Sequence, residues 1–111
     1  MRSSRVAAEN NLLKFYRAEA ADSLSIPAGT TVELESLRQA VVPPYLMLMP
    51  FIEVPDSIVV EERRPLGEDG VHGCIYHLEA KVPGEGEIVI GFRDLRTKEI
   101  THRKVIPVSV T

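Results

Sequence analysis

The residues with most chemical potential lie close together in "GVHGCIYHLEAK" (residues 70–81). Cys74, the only cysteine, is flanked by His72 and His77. A thiol becomes a nucleophile when a nearby base lowers its effective pKa. The alternation Cys74, Tyr76, Leu78, Ala80 against Ile75, His77, Glu79, Lys81 is that of a strand with one apolar face. On such a strand His72 shares the parity of Cys74, and His77 points to the opposite face. A cysteine in an apolar row reads as a buried, inert core residue. His72 and His77 cannot share a metal ion without a bulge, so His72, His77 and His102 read as surface or pairing histidines. No metal and no cofactor is expected.

Other polar runs carry no chemistry. The "GEGE" of residues 84–87 is too short for a phosphate cradle. Glu85 and Glu87 would repel an anion, and no helix follows to supply a dipole. Glu61-Glu62 and the "GED" of residues 67–69 place no acid beside a base and read as solvated loop. No Ser-His-Asp set has a motif context. The chain reads as non-enzymatic, with no catalytic residues.

The whole-chain numbers agree. The 111 residues carry 13 Lys and Arg against 16 Asp and Glu, a net charge of −3. No basic block exists, so nucleic-acid binding lacks its electrostatic footprint. A single cysteine excludes an intrachain disulfide and a thiolate zinc cluster. No apolar run reaches the length of a membrane-spanning helix. No signal peptide is visible in "MRSSRVAAEN", which leaves a cytoplasmic chain or a truncated secreted or periplasmic form.

Residues 1–10 read as a flexible tail and residues 11–111 as one domain. "NNLLKFYRAEAADSL" suits helix by its Ala and Glu and strand by "LLKFYR", with strand preferred because strands follow. "SLSIPAGTTVELE" shows period two on both sides of Pro27–Gly29. "PYLMLMPFIEV" is apolar on both faces, which predicts a central, doubly covered strand whose pairing ends or bulges at Pro50. "DSIVVEERR" is a short strand, then comes the Cys74 strand. Pro83-Gly84 turns the chain, as a hairpin, into a strand with Ile88, Ile90 and Phe92 inward. In "THRKVIPVSVT", Pro107 predicts a bulge or an edge kink. About seven to eight antiparallel strands, with no helical period after residue 22, predict an all-β immunoglobulin-like sandwich. With no Trp and one Cys it lacks the antibody hallmark.

"LGEDGVHGCIYHLEAKVPGEGEIVIGFRD" resembles the second half of the chagasin-type inhibitors of papain-like cysteine proteases. In that family a Gly-rich loop leads into a long strand closed by Ala. A Pro-Gly turn follows, and the next strand ends in an Arg-containing loop. Here Gly67 and Gly70 match the first loop, Tyr76 to Ala80 the strand, and Pro83-Gly84 the turn. "SLSIPAGTTVELE" resembles the family's early hairpin, and the likeness spans roughly residues 22–110. It implies an immunoglobulin-like sandwich with three loops gathered at one end. The family's Asn-Pro-Thr-Thr-Gly-Tyr loop is "QAVVPPYLM" here, with only Tyr45 in register. Its Arg-Pro-aromatic loop is Arg93-Asp94-Leu95, with only the Arg in common. Weak or absent inhibition of a papain-like enzyme is therefore expected.

Val42, Pro43, Pro44 and Tyr45 form a stiff apolar segment, suited either to capping the core or to contacting a partner. Together with Gly67, Gly70, Arg93, Asp94 and Leu95 they make the expected contact rim. The functional expectation is a non-catalytic protein-binding module, one form of which is a diverged protease inhibitor. The alternatives are a structural or accessory sandwich that assembles with a larger protein or with copies of itself, and a carbohydrate-binding module. The absence of Trp counts against the last.

Overall fold

The computed structural model describes residues 14–37, 48–67 and 72–111. Eight strands are found among them: β1 (Lys14–Arg17), β2 (Leu24–Ile26), β3 (Thr31–Leu37), β4 (Leu48–Glu53), β5 (Ile58–Leu66), β6 (Gly73–Ala80), β7 (Gly84–Asp94) and β8 (Ile100–Val110). They form two four-stranded sheets, ordered β1-β3-β6-β5 and β2-β8-β7-β4. The chain is an immunoglobulin-like β-sandwich, as expected. The Ala and Glu that favoured helix near the start make only a 3-10 turn, Ala18–Ala20, after a first strand.

The inner faces follow the alternation in the sequence. Val32 and Leu34 of β3 and Cys74, Tyr76, Leu78 and Ala80 of β6 face Ile88 and Ile90 of β7 and Ile106, Val108 and Val110 of β8. Tyr76, Leu34, Leu78, Ile88 and Ile106 are the largest fully buried side chains. Leu34, Leu78, Ile88 and Ile106 each contribute about 1.5–3 kcal/mol by leaving water.

Six expectations need correction. The strands are not all antiparallel: β1 runs parallel to β3, and β2 runs parallel to β8. The Pro27–Gly29 turn is not a hairpin, because β2 and β3 belong to opposite sheets. Nor is Pro83-Gly84 a hairpin. β6 is already flanked by β3 and β5, and β7 by β8 and β4, so neither has an edge left for the other. Both turns carry the chain across the sandwich instead. Thr30 bonds back to Pro27 O through both its amide and its hydroxyl, and Gly29 N–H donates to Ala80 O at 2.8 Å, which ties the first crossing to the end of β6.

The apolar β4 is not a central strand but an edge. Ile52 faces inward and Met49 is 44% exposed on the outside. Pro50 stays in register with Phe92, since an edge strand has a side where no donor is needed. Pro107 likewise breaks nothing: it pairs with Glu87, just beyond the residue where β2 stops covering β8. The bulge lies elsewhere, in β8 opposite Gly91, where Ile90 pairs with Lys104 and Phe92 with Thr101. His102, in the extra length of β8, has φ 54°. A Cβ on Gly91 would lie 2.7 Å from Thr101 O, so only glycine lets the two backbones approach this closely.

Candidate functional site

The end of the sandwich where β3, β5 and β7 finish carries the expected rim. Of its residues, Gly67, Arg93, Asp94 and Leu95 are within the described structure. Val42, Pro43, Pro44, Tyr45 and Gly70 lie outside the described residues.

The β7–β8 tip is built around Asp94. Its carboxylate accepts from the Arg96 amide (2.9 Å) and from the Arg96 guanidinium through Nε (3.2 Å) and Nη2 (2.9 Å). The first of these closes an Asx turn, and the guanidinium contacts make a two-point ion pair. The backbone closes over the same residue. Asp94 N–H donates to Glu99 O at 2.8 Å, and its carbonyl accepts from Lys98 N–H at 2.7 Å. Lys98 turns the chain with φ 70°. Hydrogen bonding by the Arg96 side chain, then its amide, lowers the Asp94 carboxyl to a pKa of about 2. The turn holds Leu95 at the tip, 40% exposed.

Arg93 diverges from its neighbours. In register with Met49 and Ile100, it lies on the outer face of its sheet with its guanidinium 5.1 Å from the centre of the Phe51 ring. That is the geometry of a cation–π contact. Consecutive residues of a strand point to opposite faces. Arg93 therefore faces outward, Asp94 is used up in holding the turn, and Leu95 projects from the tip. Sequence reasoning missed Arg96, Phe51 and Met49. Asp-x-Arg between two strands is a readable turn signal. The Phe51 contact depends on the β4–β7 register, which no local pattern encodes.

Gly67, at φ 75°, leaves β5, and His72 N–H donates to Leu66 O at 2.9 Å, so the β5–β6 connection closes beside the rim. Gly73 sits against the end of β3: a Cβ there would lie 2.1 Å from Ser36 O.

The histidines stand apart. His77 lies on the outer sheet face, with Nδ1 3.8 Å from Glu33 Oε2, and Arg64 pairs with that same carboxylate. His102 is exposed and packs edge-on against Phe92. Among the described residues, no three His, Cys, Asp or Glu side chains are grouped to hold a metal. Cys74 is 2% exposed, and burial pushes its thiol pKa up, the opposite of nucleophile activation.

The architecture thus defines the molecule as an immunoglobulin-like sandwich whose β7–β8 turn is closed by a hydrogen-bond network around Asp94. No protein-family model matches the chain, and no curated protein matches its sequence. Solved structures do. The crystal structure of the cysteine protease inhibitor EhICP2 from Entamoeba histolytica is 13% identical, covers 89% of this chain and 95% of its own, and superposes with a TM-score of 0.67. The solution structure of amebosin is 17% identical over 87% of this chain and 95% of its own, with a TM-score of 0.43. The first places this chain's fold beside that of a protease inhibitor, the architecture the sequence resemblance implied.

Proposed function

We propose that the chain is a non-catalytic protein-binding module that docks through the β7–β8 tip, and that its partner is a papain-like cysteine protease bound as a diverged inhibitor would bind it. The observation that carries the reading is the tip. A network of charged and backbone hydrogen bonds fixes the turn that joins β7 to β8 and holds Leu95 exposed at its tip. Holding an apolar side chain out on a rigid turn costs little ordering entropy on docking. Arg93 stacked on Phe51, with Met49 beside it, supplies the aromatic and Arg composition of interface centres next to that tip. The choice of a protease is supported by the shared fold with the Entamoeba histolytica inhibitor.

The family's cleft-entering loop is replaced here, so binding should be weaker than full inhibition, with a Kd on the order of micromolar. Isothermal titration of papain with the chain tests this. Saturable binding in that range supports the reading. Complete absence of heat and of any effect on hydrolysis removes the protease as partner class.

A further inference from the structure

The two sheets do not close on each other at every edge. β4 and β5 are edges of different sheets, and beside the loop end a cleft of about 280 Å³ opens on the seam between them. Met49, Pro50, Pro65, Cys74 and Tyr76 line it, and Arg63 stands with them. Three features set it apart from an ordinary packing gap.

The first is the floor. Tyr76 is completely buried, and its hydroxyl finds no oxygen or nitrogen partner among the described residues, only the weakly hydrogen-bonding thiol of Cys74 beside it. Native folds rarely leave such a group unmatched without a reason. The second is Arg63, whose guanidinium lies 6.0 Å from the centre of the Tyr76 ring. It has no carboxylate partner among the described residues, whereas its neighbour Arg64 pairs with Glu33 on the outer face. The third is the refusal of a strand. Glu61 is an extra residue in β5, where pairing with β6 slips between Val60 and Glu62, and Pro50 and Pro65 each remove an edge donor. Bulges and prolines are how exposed edges are kept from adding another strand. The seam accepts a compact group, not a backbone.

We propose that this cleft is a binding site for a small organic carboxylate with a compact apolar body. The body lies against Met49, Pro50 and Pro65. The carboxylate accepts from the Arg63 guanidinium, and Tyr76 in the floor holds a donor whose only neighbour is the weak acceptor Cys74. The size suits a small ligand and the lining has the usual form of such sites, apolar walls with a few convergent polar groups. The site shares Met49 with the outer face beside the β7–β8 tip but does not depend on the protease reading.

Phenylacetate is the probe, and neutral phenylacetamide of the same shape is the control. Titrations followed by amide chemical shifts should show saturable binding of the acid, with shifts centred on Cys74 and Tyr76. The acid should also slow labelling of Cys74 by a small thiol reagent. Arg63→Gln should weaken the acid about tenfold, as loss of a charge-assisted hydrogen bond does, and bring it level with the amide. Arg64→Gln, which removes the same charge from the outer face, should leave it unchanged. The shift spectrum reports whether each variant is folded. No saturable binding of the acid, or equal weakening by both arginine variants, overturns the proposal.

Discussion

Asp94 carries most of the organisation at the loop end. Its folded-state pKa of about 2 lies below the ordinary 3.8, so folding favours the ionised form. The resulting stabilisation is complete above the ordinary value and is lost as pH falls through the folded one. Asp94→Asn should therefore flatten the acid limb of stability between those two values and loosen the Leu95 turn. Urea melts over that range, with exchange rates of the Lys98 and Glu99 amides, check both effects. An unchanged acid limb would remove Asp94 from the account. Cys74 behaves as a core residue. Cys74→Ser should cost about 1–3 kcal/mol, because a hydroxyl would be left in an apolar row. A thiol reagent without competing ligand should react slowly with the native protein and fast in denaturant. That Cys74 is buried was readable from its place in an alternating apolar row. That Asp94 takes Arg96 rather than Arg93 was missed although it is legible: Arg93 lies on the opposite strand face, and Asp-x-Arg between two strands is a turn signal.

At the scale of elements, hydrophobic alternation reports which side chains of a strand face inward, and it found Ile88, Ile90 and Phe92 correctly. It does not report which sheet a strand joins. Pro27–Gly29 and Pro83-Gly84 have the composition of hairpin turns, yet both cross between sheets because the neighbouring strand edges are occupied. The apolar "LMPFI" of β4 misled for a related reason: one of its faces is covered not by a second layer but by Arg93. The bulge opposite Gly91 shifts which β8 residues meet the end of β7, placing Ile100 opposite Arg93. Gly91→Ala forces a Cβ to within 2.7 Å of a carbonyl oxygen. It should cost about 1–3 kcal/mol, as overpacking does, and shift the amide resonances of Thr101 to Arg103. A variant as stable as the wild type would show that this backbone approach is not fixed.

For the whole molecule, the proposed function has a sandwich docking on a protein through its loop end. Five of the nine expected rim residues, Val42 to Tyr45 and Gly70, lie outside the described residues. The claim therefore rests on the tip and the outer face beside it. No helix among the described residues is long and apolar enough to cross a membrane. The most direct test compares wild type with the double variant Arg93→Ala, Leu95→Ala, measuring affinity for papain by titration and stability by urea melt on the same samples. Both side chains are exposed, so truncating them should change stability by less than about 1 kcal/mol. At an interface centre the same truncations should weaken binding by about 1–2 kcal/mol each. A double variant that binds as the wild type does, or that unfolds without a separate loss of affinity, would contradict the docking role of the tip.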